Sequence, residues 1–143
     1  MANVFDNVGS ANLGLRYDQD GRVWAYAKAH GALTADTPYL VKPANTGWVT
    51  AAIGAVHARI GVPAAAVDSG DYAWVQVGGP KEDMAVGAID VDTVGHFWEV
   101  DTGAIADGGT TFDASTFAVA TAATDTTADT CDVILLDKWI TGT

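Results

Sequence analysis

Residues 68–80 read DSGDYAWVQVGGP, and this stretch decides the class of fold. Tyr72, Trp74 and Gln76 fall on one side of an extended chain, whereas the alternating Ala and Val residues fall on the other. Asp-Ser-Gly-Asp before the alternation and Gly-Gly-Pro after it are turn-forming sequences. The pattern therefore predicts a short β-strand with one aromatic side and one apolar side, bounded by turns.

A second stretch, residues 13–29, repeats this pattern around a tight turn. Asp20-Gly21 lies between LGLRY and RVWAYAKA, and Asp-Gly between alternating segments is a strong signal for a β-hairpin. In the second arm Trp24, Tyr26 and Lys28 share one side, with Val and Ala residues on the other. We expect two antiparallel strands here.

Short strand-like segments continue along the chain and indicate an all-β fold. Further strands are predicted at residues 37–42, 48–53, 84–89, 96–100, 115–122 and 132–139. Residues 50–62 are rich in Ala and fit a short helix or a strand about equally well. The spacing predicts a compact β-barrel or sandwich of seven to nine short strands over residues 17–143, preceded by a flexible N-terminal arm over residues 1–16.

Composition excludes several classes of partner. The 143 residues carry 18 acidic and 7 basic side chains, for a net charge of -11. Such a surface repels phosphate backbones and anionic lipids, so we expect neither a nucleic acid nor a membrane as partner. The N-terminal residues lack the pattern of a secretory signal and no apolar run reaches the length of a membrane span, which predicts synthesis and folding in a cytoplasm.

One motif suggests an enzyme. Asp101-Thr102-Gly103-Ala104 has the form of the aspartic protease signature, which would require a homodimer in a chain of this length. However, Glu99 stands where the preceding strand should be apolar, and Asp-Thr-Gly is also a common turn. The dimeric protease is kept as a remote alternative, and we expect the chain not to be an enzyme.

Other reactive groups also favour a structural role. The three histidines are far apart in the sequence, and Cys131 adjoins Asp132, whose charge disfavours a thiolate. Acidic pairs such as Asp18/Asp20, Asp68/Asp71 and Asp90/Asp92 leave surface calcium binding open, but none has the full pattern of a calcium loop. We therefore predict no catalytic residues, no cofactor and no metal site.

Three strings resemble the small virion proteins of tailed phages, the group that includes capsid decoration and head-stabilisation proteins. They are residues 20–41 (DGRVWAYAKAHGALTADTPYLV), residues 59–80 (RIGVPAAAVDSGDYAWVQVGGP) and an Ala/Thr-rich strand pair near the end. Residues 70–80 carry the most specific part of the resemblance. The chain departs from the family pattern at residues 117–120, which read FAVA instead of Ile-Gly-Val-Ala.

The resemblance implies a barrel or tulip-like domain that decorates or cements the outer surface of a phage head. The implied partners are the major capsid protein and further copies of the chain, with a trimer favoured, and the implied location is the capsid surface of the virion. We expect the contacts to come from the arm and from exposed aromatic edges, as hot spots of an interface. The interface residues predicted in this way are Val4, Phe5, Leu13, Leu15, Trp48 and Trp98.

The alternative from a different class is a phage surface module that binds a carbohydrate or receptor. In that case exposed, coplanar Trp and Tyr rings would stack on sugars of the host envelope. Aromatic rings in an open groove would favour this alternative, whereas rings buried between subunits would favour the shell protein.

Overall fold

The structure of the chain is a computed structural model that describes residues 15–18, 20–45, 47–54 and 57–141. Within these residues the protein is all β, with no helix. The strands are β1 (Leu15–Tyr17), β2 (Val23–Lys28), β3 (Tyr39–Ala44), β4 (Gly47–Ala51), β5 (His57–Pro63), β6 (Tyr72–Ala85), β7 (Phe97–Asp101), β8 (Ala104–Gly109), β9 (Thr116–Ala120), β10 (Thr130–Leu136) and β11 (Ile140–Thr141). Nine of them have five residues or more, which confirms the predicted all-β class.

Five strands close into a small barrel in the order β2-β4-β3-β5-β6. The pairing of β2 with β6 closes it, with Tyr26 opposite Trp74. β2 and β4 run parallel, with Ala27 opposite Trp48, and the other pairings are antiparallel. Closure removes the free edges that an open sheet would expose to other chains.

The barrel interior is filled mainly by small side chains. Its buried cluster consists of Val23, Ala25, Ala27, Val41, Trp48, Val75 and Val77. Gly61 of β5 faces the same space, because a Cβ built there would lie 2.5 Å from Val41 Cγ2 and 2.8 Å from Val75 Cγ2. So narrow a barrel leaves little room for large rings inside.

β6 is shared between the barrel and a second sheet. Its first half pairs with β2, and its second half pairs with β10, after which the sheet continues through β9 and β7 to β8. A larger core, which includes Leu40, Ile60, Met84, Trp98 and Phe117, lies on the other side of β3 and β5 from the barrel interior. Strand alternation explains the division, since Leu40 belongs to this core and the adjacent Val41 to the barrel.

The predicted turn at Gly78-Gly79-Pro80 is wrong, because β6 runs straight through these residues. A Cβ at Gly79 would lie 2.3 Å from the carbonyl oxygen of Gly21, so glycine is needed there for the close approach of the β1–β2 turn. Gly79 also has a φ of 84°, and the β2–β6 register shifts beside it. The glycines therefore mark a bulge within the strand rather than its end.

Most other local predictions agree with the strands, with four differences. The hairpin across Asp20-Gly21 is confirmed as β1 and β2, so residues 15 and 16 form a strand rather than part of the arm. In the ambiguous segment 50–62, the described residues form the end of β4 and most of β5, and the helix alternative is wrong there. Strand β8 was not predicted, and residues 84–85 form the end of β6 instead of a separate strand.

Candidate ligand-binding face

Four aromatic side chains line the outside of the barrel. Trp24 lies opposite Gln76 in the β2–β6 register, and Tyr26 lies opposite Trp74. Because the alternating Ala and Val residues of both strands point into the barrel, the side chains between them must point outward. We call Trp24, Tyr26, Tyr72 and Trp74 the aromatic face.

Three rings of the aromatic face, those of Tyr26, Tyr72 and Trp74, form a packed row with partial exposure. The Tyr26 and Tyr72 rings are stacked, with centroids 5.4 Å apart and planes inclined by 20°. The Trp74 ring lies 5.1 Å from Tyr26 at a tilt of 48°. All four residues of the face are half-buried, so the rings support one another and still present surface to solvent.

The hairpin turn holds the Trp24 ring in place. The indole Nε1 donates to Asp18 Oδ2 at 3.1 Å. The other carboxylate oxygen of Asp18 accepts from the backbone N–H groups of Asp20 at 2.9 Å and Arg22 at 3.0 Å. The bond from Trp24 is the main reason that the pKa of Asp18 lies below its usual value.

A cavity of about 280 Å³ adjoins the aromatic face at Trp24. Its lining comes from the β1–β2 turn, β2, β5, the segment after β5 and β6: Arg22, Trp24, Val62, Ala64, Gln76, Pro80, Lys81 and Glu82. This volume is slightly below the usual range for pockets that hold a drug-sized ligand. It is large enough for one small polar ring.

Gln76 is the buried polar side chain of this cavity. It is 2% exposed, and its Nε2 donates to the carbonyl oxygens of Gly78 at 3.1 Å, Gly79 at 3.3 Å and Pro80 at 2.7 Å. Because these carbonyl groups belong to the bulged part of β6, the three hydrogen bonds fix the orientation of the amide. The amide oxygen takes part in none of these three bonds. A fixed amide oxygen can accept a hydrogen bond from a ligand.

The charges around the cavity are close to balance. Arg22 is paired with Asp20 at 3.1 Å, and Lys81 is paired with Asp36 at 2.6 Å. Glu82 adds a negative side chain to the lining. The cavity therefore offers donors and acceptors without a surplus of positive charge, which suits a neutral polar ligand better than an anion.

The residues predicted for a protein interface are placed differently. Val4, Phe5 and Leu13 lie outside the described residues, and only the backbone of Leu15, in β1, is described. The expectation of exposed edges at Trp48 and Trp98 is wrong, since they are 7% and 0% exposed. Trp98 is enclosed by the larger core, where its bulk fills the space between sheets. Interface contacts by the N-terminal residues stay a prediction.

A second aromatic cluster lies around Trp48. Its ring centroid is 5.9 Å from that of Trp139, and the Arg59 guanidinium lies 5.5 Å from the Trp48 ring. Arg59 is also paired with Asp137 at 2.8 Å. Burial raises the pKa of Asp137, and the Arg59 charge opposes that rise. Trp139 is 47% exposed and covers Trp48.

The protease-like string forms a hairpin turn. Asp101 pairs with Ala104 at the end of the β7–β8 ladder, and Thr102 and Gly103 have φ values of 54° and 79°. Two successive left-handed residues define the tight turn that joins antiparallel strands. The turn therefore accounts for these residue types at this position.

The described part of the chain holds no group of three or more His, Cys, Asp or Glu side chains placed to share a metal ion. It also has no helix with the length and apolarity needed to cross a bilayer. Cys131 is buried, and burial raises the pKa of its thiol, which opposes thiolate formation.

Reasoning from the sequence identified each half of the aromatic face but not the whole. Alternation placed Trp24 and Tyr26 on one side of their strand, and Tyr72, Trp74 and Gln76 on one side of another. That the two sides adjoin depends on barrel closure, which has no local signal. The cavity was also missed, although a lone Gln in an otherwise apolar and aromatic strand was a clue to it.

Comparison with known proteins gives one informative likeness. No family model matches the chain, and no curated protein matches it. The fold is similar to the crystal structure of the head fiber gp8.5 N base of bacteriophage phi29, with a TM-score of 0.55 and 15% sequence identity. The similarity covers 83% of this chain and 98% of that one. A phage head fiber protein thus uses this fold, in agreement with the resemblance to small phage virion proteins.

Proposed function

We propose that the chain is a structural protein of a phage head, which binds the outer surface of the capsid as a decoration or cement subunit. The observation that carries this proposal is the shared fold, which spans nearly all of the phi29 head fiber base. The resemblance of residues 70–80 to small virion proteins supports it from the sequence. The proposed partners are the major capsid protein and further copies of the chain, with a trimer favoured.

Packing within the chain fits a subunit that folds before it assembles. The large side chains Trp98, Leu40 and Met84 are enclosed by the chain's own strands. A net charge of -11 keeps many free copies apart until they meet the capsid. A shell subunit needs both properties, because it accumulates in many copies before assembly.

Exposed apolar side chains offer a place for capsid or subunit contacts. Phe112 is 58% exposed, packs edge-to-face on Phe97 at 5.5 Å and lies under the Lys138 ammonium at 4.4 Å. Trp139 follows Lys138 in the chain and is also exposed. Hot spots of protein interfaces are enriched in Trp, Tyr and Arg, so an exposed Trp is a candidate for such a contact. We therefore propose Phe112 and Trp139 as contacts with the capsid or with other subunits, in addition to the contacts proposed for the N-terminal arm.

Co-sedimentation with phage heads tests the proposal. The purified full chain is mixed with heads of the phage whose genome encodes it, after the heads have been stripped of minor proteins. We expect saturable binding with a fixed number of copies per head. Absence of binding to both expanded and unexpanded heads would contradict the proposal.

Variants locate the contact in the same assay. Deletion of residues 2–12 should lower occupancy, and unchanged occupancy would refute a role for the arm. Phe112→Ser should weaken binding, whereas Val94→Ser serves as the matched control because Val94 is 63% exposed. Equal effects of the two substitutions would refute the specific role of Phe112.

A second candidate function is a surface module that binds carbohydrate, and one observation favours it. The aromatic face is a row of half-buried Tyr and Trp residues beside a polar cavity, rather than a set of rings fully buried in the core. The two functions are compatible in one protein, since a subunit on the outside of a head still presents one side to its surroundings.

A further inference from the structure

We propose that the aromatic face and the adjoining cavity form one binding site for a short neutral oligosaccharide, with residues Trp24, Tyr26, Tyr72 and Trp74 as the stacking surface and Gln76 and Glu82 as hydrogen-bonding groups. This inference deepens the carbohydrate-binding candidate function and rests on it. It assigns the ligand class and the residues.

The stacking surface has the chemistry that sugar rings need. A pyranose ring presents C–H groups on its faces and hydroxyls around its rim, so that a face packs on an aromatic ring while the rim stays polar. The rings of Tyr26, Tyr72 and Trp74 pack on one another with centroid spacings of 5.4 and 5.1 Å, and the half-buried residues leave part of the row exposed to contact such a face. Trp24 and Lys28 are four residues apart on β2, and Tyr72 lies opposite Lys28. Because a strand rises about 3.3 Å per residue, the row from Trp24 to Tyr72 is about 13 Å long. That length matches a di- or trisaccharide.

The cavity supplies the polar half of the site at one end of the row. Trp24 belongs to both the aromatic face and the cavity lining, so a ligand on the face can enter the cavity without leaving the surface. Gln76 is held by three backbone carbonyls, and Glu82 is exposed at the rim. Hydroxyl groups can both donate to carboxylate or amide oxygens and accept from Arg22 or Lys81.

Charge selects a neutral ligand over an anionic one. The two cationic side chains of the cavity are already paired, Arg22 with Asp20 and Lys81 with Asp36, and Glu82 lies beside them. The chain as a whole has a net charge of -11. In the cavity, a phosphate or uronic acid group would meet cations that already have carboxylate partners, and it would also meet the charge of Glu82, whereas a neutral sugar meets no such repulsion.

The site is also rigid, which favours the binding of a small ligand that makes few contacts. Its residues lie on paired strands of a closed barrel, and the Trp24 indole is fixed by its bond to Asp18 at 3.1 Å. Binding therefore demands little ordering of side chains, which lowers its entropic cost.

Calorimetric titration of the full chain with three neutral trisaccharides, maltotriose, cellotriose and chitotriose, tests the proposal. We expect at least one to bind, with quenching or enhancement of Trp fluorescence, and trigalacturonate to bind more weakly than the best neutral sugar. Tyr26→Ala should weaken binding at least about tenfold, a loss of one stacked ring. Glu82→Ala, a substitution of an exposed residue, should also weaken it.

Val94→Ser is the control, since Val94 is 63% exposed and lies outside the aromatic face, the cavity and the proposed capsid contacts. It should leave sugar affinity unchanged. Equal losses in Tyr26→Ala and Val94→Ser, tighter binding of trigalacturonate, or no binding of any neutral sugar at millimolar concentration by the folded chain would each overturn the site. Binding of the Tyr26→Ala variant to phage heads is measured in parallel, so that failure of the sugar site and failure of the head protein function are distinguished.

Discussion

Substitution of Gly61 by Ala tests whether the barrel is closed and filled as described. Gly61 lies on β5 and faces the interior, where Val41 and Val75 are fully buried. Its φ lies outside the left-handed region, so an alanine there is limited by space and not by backbone conformation. The substitution adds one methyl group to the centre of the barrel and changes nothing on the surface.

The magnitude follows from the distances. The new Cβ would lie 2.5 Å from Val41 Cγ2 and 2.8 Å from Val75 Cγ2, whereas carbon atoms in contact prefer about 3.5–4.0 Å. Overpacking of a core by a methyl group costs about 1–3 kcal/mol. Alanine also lowers the conformational entropy of the unfolded chain relative to glycine, which offsets about 0.4–1 kcal/mol of this cost. The difference is a net loss of roughly 0–2.6 kcal/mol of unfolding free energy. Because the new Cβ would lie as close as 2.5 and 2.8 Å to the two valines, we expect a loss in the upper half of this range.

The assay is urea denaturation followed by Trp fluorescence, with thermal unfolding as a second probe. Each kcal/mol should lower Tm by about 2–4 °C in a chain of this size. Gly31→Ala is the matched control, because a Cβ at Gly31 meets nothing within 4 Å and the φ of Gly31 also lies outside the left-handed region. The control should change stability by less than about 0.5 kcal/mol.

A rescue experiment separates steric crowding from other causes. Val41→Ala removes the methyl group nearest to the new Cβ, so the double variant should be more stable than the sum of the two single effects predicts. A positive coupling of about 0.5–3 kcal/mol is expected for groups in contact. If Gly61→Ala is as stable as the unaltered chain, or if the two substitutions are additive, β5 and β6 do not enclose the interior as described.

Three further predictions concern titratable groups. Because the pKa of Asp18 is lowered in the folded chain, the carboxylate contributes stability above the usual pKa of 3.8, and this contribution is lost as the pH falls through the lower folded pKa. Asp18→Asn should therefore lower the urea midpoint at pH 7 and have little effect near pH 2. Burial, together with the charge of Asp113, raises the pKa of Glu99, so Glu99→Gln should raise the urea midpoint at pH 7. This gain should vanish as the pH falls toward 4.5, and a gain that persists in acid would refute the assignment. The buried thiol of Cys131 should react with Ellman's reagent far more slowly in the native chain than in urea, and equal rates would show that β10 is open to solvent.

The local pattern of the sequence determined the strands and which side chains share a side. Alternation in residues 72–77 and 23–28 predicted the first half of β6 and the whole of β2, because successive side chains of an extended chain point in opposite directions. Asp20-Gly21 predicted the hairpin for a similar local reason, since turn-forming residues act through their own backbone. These signals need no knowledge of the rest of the chain.

The tertiary structure decided which side is inside and which strands are neighbours. Trp98 and Trp24 occupy similar positions in alternating strands, yet Trp98 is enclosed between sheets and Trp24 faces out. The difference arises because the inner side of the closed five-stranded barrel is filled by Ala, Val and Gly61 together with the single large ring of Trp48 from β4, so the large rings of β2 and β6 lie outward. The aromatic face and its cavity exist only because closure brings those two strands together, and pairing between residues about 50 positions apart leaves no mark in a local pattern.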